Sequence, residues 1–238
     1  LLAALSELNV PEPKSAFAER LSLWLGWTDA ISLSAALDGG PARTPSPSPA
    51  APRSAGTEES ELARVRTALT NSIAEHCRCT ATSGRRTPAA PTPRDDAQTA
   101  ADFTTYRRRY NASQQAMESS IGPLRQRVRE VAAGATGAVA RLAAVDAVME
   151  QALGARERAL LSTVPTRLEK HFERLRHAHE QTRADTQEPD DPHSWVRPGG
   201  WLEVFCKDMR AVLLAELDLR LQPVEGLLEA LSTESHMA

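Results

Sequence analysis

Aromatic residues make up only 4% of this 238-residue chain, and the 41% of apolar residues lean on Ala and Leu. Both are strong helix formers that add little to a β-sheet. No segment alternates apolar and polar residues as a half-buried strand does, so the composition excludes a sheet-based fold. Lysine is almost absent, with Lys14, Lys170 and Lys207 the full set. The positive charge therefore rests on arginine. Cys77, Cys79 and Cys206 are an odd number in a chain above the size that depends on disulfide stapling, which predicts a reducing compartment.

A membrane span needs about 20 consecutive apolar residues. The best approach to one, Leu21–Leu37, is shorter and carries Asp29, so it reads as a buried helix. The chain opens at Leu1 with no basic n-region, and a signal peptide is not visible. Phosphate-binding glycine loops, nucleophile elbows and triad patterns are missing as well. Enzymatic function is the least favoured class, and neither a catalytic residue nor a cofactor is expected.

Residues 1–38 hold two apolar segments separated by Pro11 and Pro13, with Ser15 placed to cap the second. Residues 39–58 and 80–100 are rich in proline and small polar residues. Such stretches bury too little apolar surface to offset their ordering entropy and are predicted to be disordered linkers. Between them, in residues 59–79, Leu62, Val65, Leu69 and Ile73 follow the spacing of one amphipathic helix. Residues 101–238 are assigned to a main helical bundle.

In that bundle Asp102 is placed to cap a helix carrying Phe103, Tyr106 and Tyr110. From Met117 the apolar positions run through Ile121, Leu124, Val128, Val131, Ala135, Ala138, Leu142, Val145, Met149 and Ala152. Steps of four and three average 3.5, the period of a coiled-coil seam. Gly122 and Pro123 predict a kink or short break, while Gly134 and Gly137 read as points of close helix approach inside the long element. A further helix begins near Pro165 with Leu168, Phe172, Leu175 and His179 on one face. The last runs from Trp201 to Leu221, where Pro223 is expected to bend or end it. The fold class predicted is an all-α, elongated helical bundle with coiled-coil-like long helices and two Pro-rich disordered linkers.

Charge is segregated. Residues 103–183 carry 14 Lys+Arg against 8 Asp+Glu, net +6, whereas residues 185–238 carry 4 against 11, net −7. Opposite nets favour folding the acidic end along the basic helices, or pairing the two between subunits of a homo-oligomer.

His76, Cys77 and Cys79 cluster soft ligands, but a structural zinc site needs four and no second pair exists. His171, His177 and His179 lie among Glu169, Glu173 and Glu180, without the repeated Glu-x-x-His of a bundle metal site. These read as a capped helix end and a solvated face, so no metal is expected. Asn111-Ala112-Ser113 matches a glycosylation acceptor, a triplet common by chance. Arg107, Arg108 and Arg109, bracketed by Tyr106 and Tyr110, have the chemistry to hold phosphates while the rings stack on bases. The competing reading places both rings in the core. Trp24, Trp27, Trp195 and Trp201 are the candidate partner-binding anchors, since large aromatics carry much of the energy of interfaces.

Two stretches, Phe17–Leu37 and Phe205–Leu231, together with Ile121-Gly-Pro-Leu-Arg125 and Arg156-Glu-Arg-Ala-Leu-Leu161, resemble a bacterial family of unknown function, the one numbered thirty-three forty-eight. The resemblance implies a helical bacterial protein with no assigned activity. It also implies genes beside those of MotA/TolQ/ExbB-like inner-membrane proteins and OmpA-like proteins, hence an accessory role at an envelope or motor-like complex. The function expected is a non-enzymatic, cytoplasmic adaptor with the inner-membrane periphery as its place of work. The alternative is a helical nucleic-acid-binding protein using Arg107–Arg109.

Overall fold

The structure is a computed structural model that describes residue 19 and residues 24–38, 55–78, 101–135, 137–187 and 191–237. The expected linkers, the caps before residue 19 and Cys79 lie largely or wholly outside these residues. All regular structure among the described residues is helical, so the all-α class holds. In chain order the helices are α1 (Trp27–Leu37), α2 (Ala55–His76), α3 (Phe103–Ala133), α4 (Gly137–Leu161), α5 (Val164–Thr186), the single turn α6 (Pro192–Trp195) and α7 (Trp201–Met237).

The chain divides into two compact units. One comprises residues 1–67, 118–161 and 218–238. Its core is aliphatic, with Val65, Leu124, Val128, Leu221 and Val224 among its buried members. The other comprises residues 68–117 and 162–217, and its core is aromatic. There Phe172 meets Phe205 edge-on at 5.0 Å and Trp201 at 5.2 Å, and Tyr106 meets Phe205 at 5.3 Å. Edge-to-face rings of this kind stabilise a core beyond their buried area.

Helix α2 follows its apolar spacing: Val65, Leu69 and Ile73 are buried and Leu62 is half-buried. Helix α3 starts where expected, because a carboxylate oxygen of Asp102 accepts the backbone N–H of Thr104 at 2.9 Å. That bond holds the Asp102 carboxyl below its usual range. Pro165 sits in the first turn of α5, where its missing amide hydrogen costs nothing.

Two expectations about the long element are corrected. The seam from Met117 to Ala152 is not one helix. Helix α3 runs unbroken past Pro123 and ends at Ala133; α4 begins at Gly137, whose φ of +58° a side chain would strain. Gly134 and Gly137 therefore mark the break between two helices rather than a close approach. The two arms are clamped as a hairpin by Arg125 and Arg129 against Asp146 and Glu150. A stripe of period 3.5 faces the fold equally on an outgoing and a returning helix, so periodicity could not reveal the reversal. Leu142, a seam member, is 40% exposed.

Of the two outcomes expected at Pro223, ending is excluded, because α7 continues through it to Met237. Proline removes the amide that would bond the carbonyl four residues back. For Pro223 that carbonyl belongs to Leu219, an exposed residue, and for Pro123 it belongs to exposed Ser119. Water can reach both, and the buried side of each helix keeps its ladder.

The acidic C-terminal half draws its cations mainly from outside the basic segment. Asp218 and Glu225 pair with Arg66 of α2. Of the arginines in the second half of α3, Arg127 pairs with Glu58 and Glu61, and Arg125 and Arg129 pair with carboxylates of α4, all within one unit. His171 with Asp208 joins the basic and acidic segments directly.

Candidate functional site

Helix α1 lies against α4, and its two faces differ. Gly26 starts it, donating its backbone N–H to the Asp29 carboxylate at 3.0 Å. Asp29, Leu33 and Ala36, at helical spacing, are half-buried. The opposite face carries Trp27, Ile31, Ser34 and Ala35, with Leu37 at its edge. Trp27 is 82% exposed, Ile31 54% and Leu37 56%. A short helix with one charged residue and its largest side chain turned to solvent is an unusual surface, because exposed apolar groups are normally scattered. The reading of Leu21–Leu37 as a buried helix thus fails for the outward side of α1.

The four tryptophans proposed as anchors part company. Trp27 is open. Trp24, half-buried, has the Arg156 guanidinium 4.4 Å above its ring, a cation–π contact that ties it to α4. Trp195 is half-buried against Trp201 at 5.7 Å. Trp201 belongs to the aromatic core, and His179 stacks on it at 6.4 Å. Sequence could name the four but not rank them, since each flanks a polar or proline-bearing segment.

The Arg107–Arg109 stretch is likewise divided. Tyr106 and Tyr110 are buried, so neither ring is offered to a base. Burial pushes the Tyr106 hydroxyl up to about 12. Arg107 and Arg108 are exposed. Arg109 is half-buried over the Tyr106 ring and donates to the carbonyls of His76 and Arg78, each at 3.4 Å, closing the C-terminal end of α2.

The potential metal ligands are engaged elsewhere. His76 Nδ1 meets the Ser113 hydroxyl at 2.8 Å, and that hydroxyl donates to the Arg109 carbonyl. His171 Nε2 meets Asp208 at 2.9 Å while an Arg174 N–H reaches its Nδ1. His177 faces Glu180. No group of three His, Cys, Asp or Glu residues with the geometry to hold a metal ion occurs among the described residues. Ser113 is buried inside α3, so the Asn111 triplet is not presented as a flexible acceptor loop.

Cys77 is a buried free thiol, pushed up to about 11 by burial. Cys206, buried on α7, is disulfide-bonded. That bond removes the support that cysteine usage lent to a reducing compartment. No helix among the described residues is long and apolar enough to cross a membrane.

The family model described as "Protein of unknown function (DUF3348)" matches residues 1–233. The chain belongs to the DUF3348 family. No curated protein and no solved structure matches it. For this DUF3348 protein the family thus supplies membership without chemistry. The outward face of α1 and the arginines at the end of α2 are the two surfaces left unexplained by folding.

Proposed function

We propose that this DUF3348 protein is a non-enzymatic adaptor that receives an apolar helix of a partner protein on the outward face of α1. The observation that carries the reading is the exposure of Trp27 beside Ile31 and Leu37 on a helix whose other face already holds it to α4. An open indole flanked by two aliphatic side chains has the makeup of an interface centre, where few residues contribute most of the binding energy. A helix at i, i+4 spacing presents a groove that a second apolar helix fills. The partner class inferred is an inner-membrane MotA/TolQ/ExbB-like component approached from the cytoplasm, with the adaptor peripheral to the membrane.

The test is a photo-crosslinking amino acid placed at Trp27 or Ile31 in the native host, with exposed Gln115 as the control position. Adducts at positions 27 and 31, absent at 115, whose cross-linked peptide maps to an apolar helix of another protein, support the reading. Absence of adducts at 27 and 31, or adducts to this chain alone, overturns it.

A further inference from the structure

We propose that the arginines gathered at the C-terminal end of α2 form a second binding surface, one that grips the phosphate backbone of duplex nucleic acid without reading its sequence. The proposal rests on residues that only the fold brings together. Arg107 and Arg108 are exposed in the first turns of α3, Arg78 is exposed just past α2, and Arg210 is exposed on α7. Arg109 ties the first two of these segments by donating to the carbonyls of His76 and Arg78. Arg210 lies near enough to Cys77 at the same helix end to act on its thiol together with Arg109. All belong to one compact unit.

Several other arginines are neutralised within the fold. Arg66, Arg125, Arg127, Arg129 and Arg220 each face a carboxylate within 4 Å. By contrast Arg78, Arg107, Arg108 and Arg210 form no ion pair among the described residues. Asp102 feels Arg107 and Arg108 but spends its oxygen on the Thr104 amide, and Asp208 faces His171. Exposed Lys207 adds to the excess. Four guanidiniums around one helix end, none in an ion pair among the described residues, offer a site for anions from outside the fold.

The same surroundings select among polyanions. The large apolar side chains exposed in the described residues are Trp27, Ile31, Leu37, Leu142, Leu160 and Leu219, all in the other unit. The basic surface therefore lacks the apolar residues that an anionic membrane surface or an acidic peptide would require as anchors. Tyr106 and Tyr110 are buried, so there is no stacking platform of the kind that holds single strands. Phosphates at fixed spacing on a stiff duplex need neither.

The experiment is fluorescence anisotropy of the full-length chain with a labelled duplex DNA of about 20 base pairs, repeated over a range of KCl. Contact with about four phosphates gives a log–log salt slope between roughly −3 and −4. Arg107→Gln/Arg108→Gln/Arg210→Gln should weaken binding at least about tenfold and flatten the slope by about 2 to 3. Arg78→Gln, outside the helices, should act in the same direction, and Trp27→Ala/Ile31→Ala should change nothing. Lack of binding at low salt, full binding by the triple variant, tighter binding to the matching single strand, or preference for phosphatidylglycerol vesicles would each overturn the proposal.

Discussion

Tyr110 donates its phenolic hydrogen to Glu216 across 2.6 Å, and Gln114 donates to both oxygens of the same carboxylate at 3.0 and 3.1 Å. Tyr110 and Glu216 are buried, so this carboxylate depends on donors that the fold supplies. Tyr110→Phe keeps the ring and removes one donor to a buried charge. Chemical denaturation should show a loss of about 1.5–3 kcal/mol. A double-mutant cycle with Glu216→Leu should return a coupling of at least about 1 kcal/mol. Additive losses would mean that the bond contributes nothing of its own.

The α3–α4 hairpin makes a second stability prediction. Asp146 receives Arg125 at 2.6 Å and Arg129 at 2.8 Å, with all three side chains mostly buried. Asp146→Asn leaves two guanidiniums side by side with only half-exposed Glu150 to balance them. The expected loss is about 3 kcal/mol, because an uncompensated charge is retained where water is scarce. Unfolding at neutral pH reads it directly, and a loss below about 1 kcal/mol would mean the cluster is solvated.

Two glycines should respond in opposite directions. A Cβ on Gly200 would fall 2.3 Å from the Trp195 carbonyl and 2.4 Å from that of Ser194, both backbone atoms of the turn before α7. Gly200→Ala must displace that turn from the aromatic core and should cost about 2–4 kcal/mol, with a shift in tryptophan fluorescence from Trp195 and Trp201. Gly122, exposed inside α3, has nothing within 4 Å of its would-be Cβ. Gly122→Ala should raise stability by about 0.5–1 kcal/mol.

Much of this fold was legible from residue patterns, and the misreadings share a cause. The α2 stripe, the Asp102 cap and the Pro165 start are local features, set by side chains within one or two turns. The α3–α4 reversal depends on what lies across the helix, which spacing along one chain does not encode, and so does the choice between bending and ending that Pro223 left open. The same divide runs through the candidate sites. Sequence could name Trp27 among four tryptophans and Arg107–Arg109 as a basic run. Only tertiary placement separates open Trp27 from buried Trp201, sends Tyr106 inward, and brings Arg78 and Arg210 to the same end of α2.

Alkaline pH should destabilise the aromatic unit in two overlapping steps. Cys77 rises from an ordinary 9.0 to about 11 and Tyr106 from 10.0 to about 12, in both cases chiefly because burial disfavours the anion. Each folded-state value exceeds the unfolded one, so the unfolded chain ionises first as pH rises. The stabilisation is fully present below the unfolded value and is lost on the way up to the folded one. Cys77 therefore acts between about pH 9 and 11, and Tyr106 between about 10 and 12, where it should withdraw about 2–3 kcal/mol. Urea unfolding at each pH from 8 to 12 measures the decline. Cys77→Ala should flatten the lower part of the curve and Tyr106→Phe the upper part, even if each lowers stability at pH 8. A decline that both variants retain unchanged would place the sensitive groups elsewhere in the chain.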